Sequence, residues 1–183
     1  MDRLKAISII CEHKISNYDS NLRNEIILNW WSIDNSNNEF NTLPKSLQDE
    51  ITNFDEPIHS ITDSRYDPLL VIALKAELKG IKNEYLSEII FDILQEEITV
   101  EGRPEELFRC PCCCYKTIIK RGNYYVCPVC YWEDDGNDEP SIYSSPNHMT
   151  LIEGKENFEK YGVCSISMIS KVKSDMKRRY YTG

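Results

Sequence analysis

The sequence lacks several features that would place it in a well-defined functional class. No run approaches the roughly 18 apolar residues that a transmembrane helix needs, so we expect none. Residues 1–4 hold no basic region ahead of an apolar run, which argues against a secretory signal peptide. No phosphate-binding loop, nucleophile–base pair or open metal site stands out, and no internal repeat is evident. These absences favour a cytoplasmic binding protein over an enzyme or a membrane protein.

Positive charge is also scarce. The 183 residues carry 21 Lys and Arg against 30 Asp and Glu, a formal net charge of −9. Because nucleic-acid phosphates would repel such a chain, this balance argues against broad nucleic-acid binding. The excess acid lies in one part of the sequence, since residues 1–105 hold 20 acidic and 10 basic side chains and residues 106–183 hold 10 and 11. The N-terminal part is therefore expected to present an acidic surface.

Cysteine, in contrast, is concentrated in one stretch. Six of the eight cysteines lie within residues 110–130. Two Cys-x-x-Cys pairs, Cys110 with Cys113 and Cys127 with Cys130, are separated by 13 residues. Two such turns, brought together by a hairpin, place four thiolates around one centre, and Zn²⁺ about 2.3 Å from each sulfur is the usual outcome. The sequence predicts one structural zinc ion bound by these four cysteines, which Trp132 would shield from water.

Other interpretations of the cysteines stay open at this point. A rubredoxin-like iron site uses similar turns, because four sulfurs suit iron as well as zinc. A disulfide or a thioredoxin-like redox pair would leave the second Cys-x-x-Cys unexplained, and no βαβ pattern flanks it. Cys112 and Cys114 are additional sulfurs that could replace a ligand, or act as a free thiol in a redox protein. His148 is near in sequence, but four sulfurs already complete a zinc shell.

The order of these motifs resembles that of a known family. Cys110-Pro-Cys-Cys-x-Tyr-Lys-Thr precedes Cys127-Pro-Val-Cys-Tyr-Trp-Glu-Asp-Asp, and Pro146-Asn147, Leu151, Glu153 and Asn157-Phe158 follow. In this respect residues 107–164 are similar to the bacterial cysteine-rich CPCC domain family. The resemblance implies a small zinc-ribbon-like module with no established catalytic activity, and it implies no substrate. Cys114 departs from the pattern, because similar domains have glycine there, where φ is often positive.

Hydrophobic spacing predicts that most of the remaining chain is helical. Apolar residues recur at helical spacing, and capping residues, proline or glycine mark several ends. Asp67-Pro68 opens a segment that is apolar nearly all round, which indicates the central helix of an N-terminal domain. The predicted helices cover residues 2–15, 20–33, 45–54, 67–79, 83–94 and 151–161.

A β-hairpin is predicted between the two cysteine pairs. Residues 115–120 and 123–126 alternate and are rich in Thr, Ile, Tyr and Val, with Arg121-Gly122 at the turn. Glycine and proline in residues 101–104 break any helix and indicate a domain boundary. The predicted fold class is α+β and mostly α. It comprises an acidic all-helical domain, residues 1–104, and a zinc-ribbon β-hairpin module with C-terminal helices and a basic tail, residues 105–183.

The acidic part predicts a binding function. Glu84, Glu88 and Asp92 are spaced by four residues on a predicted helix, and we expect them to bind a protein partner with a basic surface. The most concrete form of this hypothesis is an immunity-type protein that neutralises a basic toxin. The alternative is a nucleic-acid-associated ribbon, for which the candidate residues are Lys116, Lys120, Arg121 and the basic cluster in residues 171–179.

Overall fold

Helices make up most of the regular structure. The structure, a computed structural model, describes all of residues 1–183. None of its helices combines the length and the apolarity needed to cross a membrane. The helices are α1 (Arg3–Asn17), α2 (Ser20–Trp30), α3 (Lys45–Asn53), α4 (Asp67–Glu77), α5 (Asn83–Leu94), α6 (Leu151–Tyr161) and α7 (Met176–Arg179), with short 3-10 turns at Phe40–Thr42, Ser64–Tyr66 and Ile166–Lys171.

Four short strands complete the regular structure. They form two separate antiparallel pairs, β1 with β2 and β3 with β4. The strands are β1 (Phe108–Arg109), β2 (Lys116–Ile118), β3 (Tyr143–Ser144) and β4 (Met149–Thr150). The predicted fold class, α+β and mostly α, is confirmed.

The chain divides into two compact units. The first, here called the helical unit, contains Met1–Lys79 and Ser87–Glu101, and the second, the cysteine unit, contains Gly80–Leu86 and Gly102–Gly183. The division therefore falls partly within α5, since the segment Gly80–Leu86 belongs to the cysteine unit. That residues 1–104 and 105–183 form separate domains stays a prediction.

The helical unit is built around α4. This helix packs against both α1 and α2. Leu69 and Leu70 of α4 are completely buried, as are Ile27 of α2 and Ile10 of α1. Removing each such side chain from water contributes about 1.5–3 kcal/mol. The continuous apolar run after Pro68, which fixes φ for the first helical turn, thus forms the centre of this core.

Polar contacts fix the segment between α3 and α4 to this core. The indole N–H of Trp31 donates to the Phe54 carbonyl at 2.9 Å, and the Arg23 Nε donates to the Ile61 carbonyl at 2.9 Å. Arg23 also pairs with the carboxylate of Asp67 at 2.7 Å, at the start of α4. The Phe54 and Ile61 carbonyls thus have side-chain donors from α2 and the residue that follows it, which hold the segment against the core.

In the cysteine unit the predicted hairpin is wrong. Strand β2 pairs with β1, and residues 123–126 form no strand. Each Cys-x-x-Cys turn instead closes its own antiparallel loop, so that Phe108 faces Ile118 across the first turn and Val126 faces Glu133 across the second. The alternation of residues 115–126 correctly indicates extended backbone, but it does not say which segments pair. The cysteine turns decide the pairing, because each turn reverses the chain and brings its own two flanking segments side by side.

Helix α6 follows the predicted signals at both ends. Thr150 and Glu153 form a reciprocal capping box, in which each side chain accepts from the backbone N–H of the other. Gly162 ends the helix with φ of +78°, in the left-handed region that glycine adopts without strain. Within the helix, Gly154 lies beside the ring of Trp132, where an added β-carbon would be 2.7 Å from the ring. Glycine at this position therefore permits close packing of Trp132 on the helix.

Candidate metal centre

The first cysteine turn reverses the chain with two backbone hydrogen bonds. The Cys110 N–H donates to the Tyr115 carbonyl at 2.8 Å, and the Cys114 N–H donates to the Cys110 carbonyl at 3.0 Å. Cys114 has φ of +67°, where a β-carbon is strained and glycine is not. The positive φ expected at this position is thus present, and Cys114 adopts it in place of glycine.

The second turn repeats this geometry. The Cys127 N–H donates to the Trp132 carbonyl at 2.8 Å, and the Tyr131 N–H donates to the Cys127 carbonyl at 2.8 Å. Tyr131 occupies the place that Cys114 has in the first turn, with φ of +68°. Two local turns of the same shape therefore supply two cysteines each.

The two turns bring four sulfur atoms together. The Sγ atoms of Cys110, Cys113, Cys127 and Cys130 all lie within 4.8 Å of one another, and all four residues are buried. Across the turns, Cys110 Sγ is 3.7 Å from Cys130 Sγ, and Cys113 Sγ is 3.5 Å from Cys127 Sγ. Sulfurs about 2.3 Å from a central zinc ion would be about 3.8 Å apart at the corners of a tetrahedron. The donor set and its dimensions fit a metal ion held by four sulfurs.

Without a cation, the four thiols share protons unequally. Burial opposes ionisation of Cys127, but hydrogen bonds from the other three thiols and the Thr117 hydroxyl hold its pKa well below the usual value. The Thr117 oxygen lies 3.1 Å from Cys127 Sγ. Burial and then hydrogen bonds to neighbouring thiols raise the pKa of Cys130, and a hydrogen bond to Cys110 raises the pKa of Cys113. A metal ion that takes four thiolates must therefore displace protons from at least these two residues.

Apolar residues close to the cysteines in sequence are buried, as the cysteines are. Trp132 follows the second turn and is 1% exposed, and Ile118 and Val129 are completely buried. Apolar neighbours exclude water and strengthen electrostatic attraction between a cation and its thiolates. The ring of Trp132 packs on α6 at Gly154. That it shields a bound metal from water stays a prediction.

Cys164 was missed by sequence reasoning. Its backbone N–H donates to the Cys130 carbonyl at 2.7 Å, and its thiol is buried. Burial, followed by the proximity of Cys112 and Cys110, raises the pKa of Cys164 to about 12, so the group remains a neutral thiol. It lies outside the four grouped sulfurs. Its distance along the chain from both cysteine pairs gave no spacing signal that could have placed it here.

The remaining predicted alternatives to the four ligands also lie outside the group. Cys112 is buried, and its sulfur lies 3.6 Å from the position that a β-carbon on Gly154 would occupy. Cys114 is partly exposed and accepts a hydrogen bond from Arg109 Nη2 at 3.1 Å. His148 likewise has no place among the grouped donors. The fold therefore brings together the two Cys-x-x-Cys pairs and none of these alternative ligands.

The C-terminal residues support the first turn. The Lys116 N–H donates to the Tyr181 carbonyl at 2.8 Å, and the Gly183 N–H donates to the Cys114 carbonyl at 2.9 Å. Thr182 pairs with Tyr115 as an antiparallel bridge. The chain end therefore lies along β2 as an added extended segment. Sequence reasoning predicted a last helix and a basic cluster for this tail, and it did not predict the pairing with the first turn.

The predicted partner-binding carboxylates lie on α5. Glu84, Glu88 and Asp92 are all exposed at spacings of four residues. The apolar residues Leu86 and Ile90 of the same helix are completely buried. The helix is thus amphipathic, and its exposed side carries the acidic residues that the sequence analysis singled out.

The basic residues considered for nucleic acid are partly neutralised. Arg121 pairs with Asp134 at 2.9 Å and with Asp138 at 2.6 Å, and Arg179 pairs with Asp175 at 2.8 Å. A guanidinium that already holds carboxylates must release them to bind a phosphate. These ion pairs weaken the case for a nucleic-acid-associated ribbon.

Comparison with known proteins supports the assignment of one part of the chain. Residues 108–179 match the family model described as Cysteine-rich CPCC. Neither a curated protein nor a solved structure matches the chain. The chain thus contains a cysteine-rich CPCC domain over part of its length, and the predicted resemblance is confirmed. The match includes both cysteine turns and α6, and it ends before Tyr181 and Thr182, which pair with the first turn from the chain end.

Proposed function

We propose that the chain is a non-catalytic zinc-binding protein whose acidic part binds a basic protein partner. The buried group of four cysteine sulfurs supports the first half of this proposal, that the protein binds zinc without catalysis. Four thiolates saturate tetrahedral Zn²⁺ and leave no position for a water molecule or a substrate. Zinc chemistry at such a centre is structural, because hydrolysis at zinc needs an open coordination position. A reducing cytoplasm would keep the thiols available for the metal.

Metal analysis of the purified full-length protein tests this half. One zinc per chain is expected, together with a colourless protein. A red, iron-containing protein would show instead that the centre is a rubredoxin-like iron site. Folded protein without any bound metal would overturn the metal proposal altogether.

The second half concerns the partner. Residues 1–105 carry 20 acidic and 10 basic side chains, and three exposed carboxylates, Glu84, Glu88 and Asp92, line α5. A surface of this sign attracts a basic partner and speeds its association. An immunity-type protein that covers the basic active-site cleft of a toxin would use such a surface. We therefore propose a basic toxin, such as a nuclease, as the partner class.

Charge reversal tests the partner surface. The triple variant Glu84→Lys, Glu88→Lys and Asp92→Lys should lose at least tenfold in association rate with a basic partner captured from cell extract. A matched control triple, Glu39→Lys, Asp55→Lys and Glu56→Lys, changes the net charge equally at other exposed acidic positions. Equal losses in both variants would mean that only net charge matters. Recovery of RNA or DNA without a basic protein would reject the protein partner in favour of the nucleic-acid-associated alternative.

A further inference from the structure

Helix α3 places a carboxylate among buried residues. Glu50 is 7% exposed and lies on the same helix as the buried Leu47 and Ile51. Its Oε1 accepts a hydrogen bond from the Ile58 backbone N–H at 3.2 Å and another from the Tyr66 hydroxyl. Burial and then this hydrogen bond raise the pKa of Tyr66 to about 12, so the phenol keeps its proton and remains a donor.

The second oxygen of the same carboxylate is poorly compensated. Glu50 Oε2 lies 4.0 Å from Arg65 Nη1, which is too far for a hydrogen bond. Arg65 is closer to another acid, because its Nε lies 3.2 Å from Asp63 Oδ2. A buried carboxylate normally requires a closely bonded cation or several donors. The Oε2 atom of Glu50 has neither at hydrogen-bond distance, but it is not an enclosed atom and opens towards solvent at the protein surface.

This carboxylate lines a pocket in the helical unit. The pocket has a volume of about 540 Å³ and is bounded by α3 and by the segment that follows it. Phe54 and Ile58 contribute apolar surface and are 47% and 51% exposed, which is high for large apolar side chains. Asp49, which pairs with Lys45 at 2.9 Å, adds a second carboxylate. Asn53 and His59 add polar groups, and Arg65, which pairs with Asp63, also lines the pocket. A cavity of this size can hold a small organic group with one charged end.

We propose that this pocket binds a cationic group, a guanidinium or an ammonium, carried on a short apolar stem. The cation would donate to Glu50 Oε2, the carboxylate oxygen that no protein donor reaches at hydrogen-bond distance. The stem would lie against Phe54 and Ile58, where an aromatic face also attracts a cation. The group can belong to a basic side chain of another protein or to a free amine. The site uses none of the α5 carboxylates and does not rest on the proposed function.

A pair of probes that differ only in charge tests this proposal. Butylguanidinium carries the cation, and butylurea has nearly the same shape without it. Each is titrated into the full-length, metal-loaded protein, with calorimetry for affinity and amide NMR shifts for location. Butylguanidinium should shift the Ile58 and His59 amides and bind at least tenfold more tightly than butylurea. Equal binding of the two probes, shifts confined to other residues or no binding at millimolar concentration would overturn the proposal.

Variants identify the groups involved. Glu50→Gln should weaken butylguanidinium binding at least tenfold, while the exposed control Glu25→Gln should leave it unchanged. Because Glu50→Gln can also disturb the fold, dispersion of the amide spectrum is checked first. Phe54→Ala provides an independent test, since its side chain is 47% exposed and its removal spares the backbone carbonyl that accepts from Trp31. It should weaken the probe about threefold or more, and unchanged affinity in both variants would refute the site.

A peptide distinguishes the two sources of the cation. A capped Gly-Arg-Gly peptide carries the same guanidinium on a protein backbone. Binding as tight as that of butylguanidinium would assign the pocket to a basic side chain of a protein. Exclusion of the peptide, with butylguanidinium still bound, would assign it to a free amine or guanidine.

Discussion

The helical unit and the cysteine unit are stabilised by different physical means. The helical unit has long regular helices whose apolar sides meet at α4, with Leu69 and Leu70 completely buried. The cysteine unit has strands of two or three residues, and three of its completely buried residues are the sulfur-bearing Cys110, Cys127 and Cys130. Apolar burial is spread over many contacts, whereas a metal centre concentrates stability in four bonds. The two units should therefore respond to different perturbations.

The largest expected effect is the loss of one metal ligand. Cys130→Ser should abolish zinc binding and unfold the cysteine unit, because structural zinc contributes about 10–16 kcal/mol of apparent binding free energy in small modules. Circular dichroism should show that most helicity of the helical unit persists. Cys112→Ser is the matched control, since Cys112 is buried but lies outside the sulfur group, and it should retain one zinc. Loss of all cooperative structure in Cys130→Ser would show that the units do not fold separately.

A core substitution in the helical unit should have the converse effect. Leu70→Ala removes a completely buried side chain of α4 and should lower the free energy of unfolding by about 2–5 kcal/mol. Zinc content should stay at one ion per chain. Leu4→Ala, at a position that is 74% exposed, is the control and should change stability by less than about 0.5 kcal/mol. If Leu70→Ala also releases zinc, the contrast between the units is wrong.

Acid should act selectively on the cysteine unit. The pKa values of Cys113 and Cys130 are raised in the metal-free cluster, so both are protonated at neutral pH and must lose protons to bind zinc. Zinc binding is therefore favoured as pH rises and is lost as pH falls. Release of at least two protons corresponds to a loss of at least about 100-fold in zinc affinity for each unit of decrease in pH. Competition with a chelator at two pH values measures this slope, and a slope below one proton would contradict the assignment.

The smallest expected effect concerns backbone strain in the turns. Cys114→Gly should stabilise the zinc-loaded protein by up to about 1 kcal/mol, because glycine adopts positive φ without strain. The lost contact from Arg109 to the Cys114 sulfur offsets part of this gain. Tyr131→Gly tests the same position of the second turn, where φ is nearly identical. Denaturant midpoints of zinc-saturated samples measure both, and destabilisation of both variants would argue against strain at these residues.

Local features of the fold could be predicted from the sequence, and long-range ones could not. The helices follow from apolar spacing, and the four grouped cysteines follow from two local Cys-x-x-Cys spacings. The predicted hairpin is wrong because the alternation of side-chain types in residues 115–126 indicates extended backbone but does not indicate which segment pairs with it. Cys164 and the tail reach the cluster through backbone hydrogen bonds to distant residues, for which no periodic pattern exists. The pocket at Glu50 likewise depends on how the segment after α3 folds back over it.

The separation of these contacts along the chain has a consequence for the order of events during synthesis. The sulfur contacts join residues only 20 and 14 positions apart, whereas the bridge from Tyr115 to Thr182 needs the last residues of the chain. Short loops close with little loss of chain entropy, and translation delivers the N-terminal side first. The four cysteines can thus meet before α6 and the tail have left the ribosome. We expect a ribosome-bound chain that exposes residues up to Trp132 to capture zinc already, so that the later segments close around an ion that is in place.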